Sequence, residues 1–326
     1  MDRNEFIRKQ IEYNTRRERE HYKHLIKNDE AYKQELIKLY NSTSKSITET
    51  IESLYTRYGL SEGITIEQAR KRVSKMDVEA FREKANDFLN GKNVSKHAQE
   101  QMKLYNLKQK ISALELMQLE IALETIKQAN TEEAMLYEHL TKAFEQELER
   151  QAGYLKMSKS IRQKIVKDVD QLINGSHKSV HFSDRIWTNQ NEFRNRLQEG
   201  LQRSLLLGEN PKVWSRKFRE HVKKNMGDTG KENALYVANR LAITEDSRML
   251  NATALKSFKA MGYTKYIWIC EPSACHICAP YHGEIMGIGG NLHGYDVPPM
   301  HPHCRCSIAA YFEYNPDEDW HILDFM

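Results

Sequence analysis

The first 210 residues of this 326-residue chain contain no proline, and no cysteine occurs before Cys270. Proline lacks the amide hydrogen and clashes with the preceding turn, so its absence leaves long helices uninterrupted. No apolar run approaches the roughly 18–20 residues that cross a bilayer, so no membrane span is expected. Residues Met1 to Glu20 are densely charged and carry no apolar h-region, so a secretory signal is not expected. Five cysteines, an odd number, without an export signal favour reduced thiols in a cytoplasm over a disulfide framework. A phosphate-cradling loop is missing too, because Gly287-Ile-Gly-Gly290 is not followed by the Lys-Ser/Thr such a loop needs.

What the chain withholds elsewhere it concentrates in residues 270–306. All five cysteines and five of the seven prolines lie there: Cys270-Glu-Pro-Ser-Ala-Cys275-His-Ile-Cys278, then Pro298-Pro299-Met-His301-Pro302-His303-Cys304-Arg305-Cys306. Cys275-x-x-Cys278 is a two-thiolate knuckle, whose spacing lets both sulfurs reach one tetrahedral ion. Any two of His301, His303, Cys304 and Cys306 could complete a zinc site, since zinc takes four sulfur or nitrogen ligands. The candidate metal ligands are therefore Cys275, Cys278, His301, Cys304 and Cys306, with Cys270 the odd thiol out. Buried free cysteines, a disulfide between the two halves and a catalytic thiol are the competing readings. The last lacks a third orienting group at a recognisable spacing, and a thiolate-rich zinc site is usually closed and structural.

Upstream, the chain reads as helical. Residues 1–40 form a charged helix whose apolar residues, Ile7, Ile11, Leu25, Tyr32, Leu36 and Leu39, make a thin face, suited to an arm or a helix packed on a partner. Breaks are expected at Asn41–Ser44 and Tyr58–Gly63, a capping box at Thr65–Gln68, and a helix from Asp77 to Leu89 ended by Asn90-Gly91, with the glycine left-handed. From Gln99 to Leu155 two apolar stripes, Leu107-Ile111-Leu114-Met117-Ile121 and Tyr137-Leu140-Phe144-Leu148, give the strongest helical periodicity, with a bend or restart at Asn130-Thr131. Asn210-Pro211 starts a further helix carrying Trp214, Phe218 and Val222 on one face and followed by Gly227. Residues 233–260 form another. Strands are expected at 263–269 and 307–312, where aromatic and β-branched residues gather.

The expected fold is mainly α. Elongated helical N-terminal and middle regions precede a small C-terminal α+β domain stapled by the Cys/His cluster. The expected divisions are a charged helical arm at 1–98, a long helical hairpin or coiled segment at 99–158, a domain at 159–312, and an acidic tail at 313–326.

The formal charge of +4 hides an uneven distribution. Residues 1–150 are balanced, residues 151–260 carry ten more basic than acidic side chains, and residues 261–326 carry six more acidic than basic. Arg194, Arg196 and Arg203 belong to the basic stretch, and Arg216, Lys217, Arg219, Lys223 and Lys224 are the candidate nucleic-acid contacts, able to meet phosphates without reading sequence. A solvated helical face explains the same residues.

Trp268, Cys275-His-Ile-Cys278, His282-Gly283 and the box from Pro298 to Cys306 together resemble the C-terminal domain of the phage Mu F-like minor head proteins, also called phage head morphogenesis proteins. The resemblance spans about residues 160–312. That family often has Arg-Thr-Glu on an upstream helix; here the place is held by Ile243-Thr244-Glu245, with Arg240 one turn back. The resemblance implies a virion protein near the portal inside the head, assembled in the host cytoplasm, with portal and capsid proteins as partners. It implies roles in head assembly and in DNA packaging or ejection, and no enzymatic activity. A non-specific DNA-binding protein with a structural zinc domain is the alternative, and a zinc- or thiol-dependent enzyme a more distant one.

Overall fold

The computed structural model describes residues 2–58, 72–103, 111–207, 213–214, 218 and 234–316. Helices dominate it: α1 (Arg3–Arg57), α2 (Lys75–Leu89), α3 (Lys96–Lys103), α4 (Ala113–Tyr154), α5 (Lys159–Val166), α6 (Val169–Ile173), α7 (Phe182–Leu206) and α8 (Ala234–Ala260). Strands β1 (Lys265–Ile269), β2 (Ile285–Gly287) and β3 (Ser307–Ala310) follow. Among the described residues no helix is long and apolar enough to cross a membrane. The expected capping box at 65–68, the helix start at 210–211, and Leu107, Val222 and Gly227 lie outside the described residues.

The chain forms two compact units. One gathers residues 1–32, 136–182 and 240–326; the other gathers 33–135 and 183–239.

In the second unit, the break expected at Asn41–Ser44 is absent, and α1 runs through it. Thr43 and Ser44 are buried there, so tertiary packing overrides their weak helix propensity. Nor is α4 interrupted at Asn130-Thr131. Thr131 Oγ1 donates to the Lys127 carbonyl (3.0 Å), and the Asn130 amide accepts from Ser95 N (2.8 Å) and donates to the Asn93 carbonyl (3.0 Å). Both polar side chains are satisfied without breaking the ladder. Helix α2 starts at an N-cap, Ser74, whose Oγ accepts from Asp77 N at 3.1 Å. It ends at Asn90, but Gly91 is not left-handed, contrary to expectation; a turn from Gly91 N to the Phe88 carbonyl (3.0 Å) closes it instead. The core holds a buried polar knot: Tyr40 Oη and Gln190 Nε2 both donate to Glu132 Oε2 at 3.0 Å. Tyr40, Phe193, Phe218 and Trp214 form a chain of ring contacts beside it, as the spacing of Trp214 and Phe218 suggests.

In the first unit, α8 ends in a Schellman turn. Tyr263 N donates to the Phe258 carbonyl (3.0 Å), and Gly262 takes φ +82°, a left-handed value that favours glycine. The turn launches β1 into an antiparallel sheet of order β2-β1-β3, with Tyr266 opposite Met286 and Trp268 opposite Ile308. Side chains alternate between faces along a strand. Ile267 and Ile269 share one face with Ala309 and Tyr311, and there they meet Ile7 and Ile11 of α1. Tyr266 and Trp268 face the other way and are also fully buried, so the sheet is covered on both sides.

Over residues 3–32 the N-terminal helix, expected to pack on a partner, packs on the chain's own C-terminal sheet and on the end of α4. The buried seam of α1 in this unit runs through Phe6, Gln10, Asn14, Glu18, Leu25 and Tyr32, at helical spacing. Three of those six are polar, which is why an apolar count sees only a thin face. Each polar one is matched. Gln10 bonds Phe312 through both amide atoms, Asn14 Oδ1 accepts from Tyr154 Oη (3.1 Å), and Glu18 accepts from Arg150 Nη1 (2.8 Å). Burial would raise the Glu18 carboxyl, but the Arg150 and Arg17 guanidiniums overcome it and hold it at about 2.

A candidate metal centre

The two halves of the cysteine cluster are shaped by backbone turns before any ion is considered. Cys278 N and Ala279 N both donate to the Cys275 carbonyl, at 3.1 and 2.9 Å, closing the knuckle. In the second half Cys304 N donates to the His301 carbonyl (3.1 Å). His303, between them, takes φ +64°, and its amide is anchored on Thr244 Oγ1 at 3.2 Å. A hydrogen bond to a buried helix holds this conformation, which costs about 1–3 kcal/mol for a residue other than glycine.

Side chains then converge. His301 Nε2 lies 3.1 Å from Cys275 Sγ and 3.3 Å from Cys278 Sγ, and Cys278 Sγ lies 3.8 Å from Cys304 Sγ. The donors form two groups of three that share Cys278: Cys275-Cys278-His301, partly accessible, and Cys278-Cys304-Cys306, fully buried. Either group can hold a metal ion. His303 belongs to neither; its role is in the backbone. Cys270 Sγ donates to the Cys278 carbonyl at 3.0 Å.

Electrostatics act differently on the donors. A hydrogen bond from Cys306 lowers the Cys304 thiol to about 6 against the effect of burial, while the same bond and burial push Cys306 up. Burial and the Cys304 charge push Cys278 up. Burial would raise Cys275, but the backbone amides of Cys278 and Ile277 lower it. At His301, burial is outweighed by a backbone bond and the Cys304 and Cys275 charges, so it is raised.

Helix α8 is the wall on which the second half is mounted, from Thr244 to Asn251. Thr244 anchors His303, and Asn251 Nδ2 donates to the Cys306 carbonyl (3.1 Å). Asp246 accepts from Arg305 Nη1 at 2.5 Å and lies 3.3 Å from His139 Nε2. Arg305, 3% exposed at its side chain, also bonds Asp29 of α1. Against the effect of burial, Arg305 and His139 hold Asp246 at about 2, whereas burial pushes Asp29 up to about 6 despite Arg305. The arginine between the last two cysteines thus ties the cluster to α8 and to the N-terminal half of α1. Glu245 is paired too, by Arg248 one turn later (Nε to Oε2, 2.6 Å). Arg248 also caps the Leu172 and Ile173 carbonyls at 2.9 and 3.0 Å. A Cβ at position 175 would sit 2.8 Å from its guanidinium, so Gly175 makes room for it.

Sequence reasoning found the cluster and missed its supports. Asp29, Asp246, Arg248 and Asn251 look like ordinary surface residues on charged helices. The one signal, for the three on α8, is the run of polar residues Thr244, Glu245, Asp246, Ser247, Arg248 and Asn251 within an otherwise largely apolar helix, all of which the fold buries. Of the basic stretch, Arg194 is largely buried and bonds Asn191 Oδ1 at 2.7 Å. Arg216, Lys217, Arg219, Lys223 and Lys224 lie outside the described residues.

The fold and site define a class: a mainly helical protein whose small C-terminal sheet is closed by a cysteine/histidine cluster able to hold a metal. Residues 191–309 match the family described as Phage Mu protein F like protein, so the resemblance read from Trp268 and the two boxes holds over that stretch. The match starts later than the resemblance suggested and covers a little over a third of the chain. No curated protein and no solved structure matches the chain.

Proposed function

We propose that this is a minor head protein of a phage particle, placed near the portal inside the head and acting in head assembly and in DNA packaging or ejection. The observation that carries the reading is the family match, which takes in the whole cluster and the helix that supports it. Its region is built as a scaffold. Cys304, Arg305 and Cys306 are buried, and their polar neighbours are engaged in holding α1, α8 and the sheet together. In this reading the protein is not an enzyme, its partners are portal and capsid proteins, and it is assembled in the host cytoplasm. Mass spectrometry and cryo-electron microscopy of purified particles test it. The protein should be present in a few copies, with density at the portal vertex; particles that lack it contradict the reading.

The cluster holds a structural zinc ion in this proposal, bound by Cys275, Cys278 and His301 with Cys304 as the fourth donor. Two observations favour the fit. His301 Nδ1 lies 2.8 Å from the Pro302 carbonyl, so it carries the ring proton and leaves the Nε2 lone pair facing the thiols. Sulfurs bound at about 2.3 Å to one tetrahedral ion stand about 3.8 Å apart, the separation of Cys278 and Cys304.

DNA is a proposed partner through Arg216, Lys217, Arg219, Lys223 and Lys224, supported by the basic excess of residues 151–260. Replacing those five with glutamine should weaken binding to any duplex and flatten its salt dependence, by up to about 0.9 in log–log slope for each phosphate no longer neutralised. An unchanged slope contradicts a role for these five side chains.

A further inference from the structure

The donor set is larger than one tetrahedral ion needs. Four thiols and the His301 imidazole make up two groups of three donors that overlap only at Cys278, and Cys270 lies beside them. A site built for one ion would draw its four donors toward one point and leave the remainder outside. Here Cys306 is 1% exposed and its sulfur stands within 4.8 Å of both Cys278 and Cys304.

We propose that the cluster takes two zinc-type ions, the second held by Cys278, Cys304 and Cys306. This rests on the zinc reading above and extends it. The first ion keeps Cys275 and His301 as its own ligands, and the second keeps Cys306, with Cys270 as its remaining donor. Cys278 and Cys304 lie on both ions as bridging thiolates. The donor count then closes: two tetrahedral ions that share two ligands need six donors, and five cysteines with His301 supply six. A thiolate sulfur keeps lone pairs after binding one ion and can bind a second.

Charge points the same way. Cys278, Cys304 and Cys306 are all buried, and buried anions are costly unless paired or metal-bound. One divalent ion among five thiolates leaves three negative charges uncompensated, so some thiols must stay protonated; two ions leave one. The guanidinium closest in sequence, Arg305, is already occupied by Asp29 and Asp246. Cys270 stands beside the triad without belonging to it: its thiol donates to the Cys278 carbonyl at 3.0 Å and interacts with Cys306 and Cys304, so it must turn from that carbonyl to bind.

The test is metal stoichiometry on the full chain produced in zinc-supplemented medium, by native mass spectrometry and by elemental analysis against quantified protein. Two ions per chain are expected, falling to one in Cys306→Ser. A cadmium-substituted wild-type sample should give two cadmium resonances, a readout that stands even if the variant does not fold. One ion in the wild-type chain overturns the two-ion scheme and leaves the single zinc standing. No ion overturns both. Two ions unchanged in Cys306→Ser overturn the assignment of the second ion to this triad.

Discussion

Gln10 and Phe312, 302 positions apart, are joined by two hydrogen bonds of 2.9 Å: the Gln10 amide nitrogen donates to the Phe312 carbonyl, and the Phe312 amide donates to Gln10 Oε1. A side-chain amide on a helix thereby plays the part of a neighbouring strand for the backbone just past β3. Gln10 is fully buried, so neither bond has water as a ready substitute. Gln10→Ala should cost about 1–3 kcal/mol in the stability of the first unit. Amide exchange at Phe312 should speed up well before exchange at Trp268 does. Equal protection of Phe312 in variant and parent would show that the pairing contributes nothing.

Arg305 is the second fastening. It is buried between Asp29 of α1 and Asp246 of α8, and lysine cannot reproduce a planar fork that serves two carboxylates. Arg305→Lys keeps the charge but loses the fork, and should lower stability by about 1–3 kcal/mol, the range for a lost hydrogen bond to a charged group. Asp246→Asn should be nearly as damaging, because it leaves the arginine with one carboxylate and removes the partner of His139. Denaturant unfolding of the three proteins measures this, and losses under about 1 kcal/mol would make the contact incidental.

In the second unit the pH dependence runs opposite to the usual carboxylate case. Burial raises Glu132 from an ordinary carboxylate value to about 7, against the hydrogen bonds from Tyr40 and Gln190. A raised acid has no ionisation penalty below its unfolded value, near 4.5. The penalty grows as pH climbs from there through about 7 and is complete above it. Glu132→Gln keeps an oxygen for both donors and should stabilise the protein at pH 8 by on the order of 3 kcal/mol, with little gain at about pH 4. Melting curves at the two pH values should show the gain at the higher one alone. Glu18 is the reverse: held at about 2, it contributes stability present above about 4.5 and lost as pH falls toward 2.

Much of this was legible in the sequence. Apolar periodicity marked the long helices, and the aromatic run at 263–269 marked the central strand. Residue types with few other uses, five thiols and clustered prolines, marked the cluster. What escaped has one physical cause. A hydrophobicity count scores Gln10, Asn14, Glu18, Asp29, Asp246 and Arg248 as surface, yet each is paired with another polar group far away in the chain, and only the fold brings the partners together. Asn41–Ser44 and Asn130-Thr131 misled for the converse reason: their turn chemistry is local, and burial or side-chain hydrogen bonds satisfied it inside a continuous helix.

A metal at Cys275, Cys278, His301 and Cys304 should hold the C-terminal sheet folded, since metal-binding free energy is folding free energy in small sites of this kind. The decisive measurement is hydrogen exchange of Ile267, Trp268 and Ile269 before and after a strong chelator strips the metal. These amides should lose protection on chelation and regain it when zinc is restored, while the part of α4 within the second unit stays protected. Undiminished protection of the three strand amides in protein shown to be metal-free would contradict a metal-held sheet.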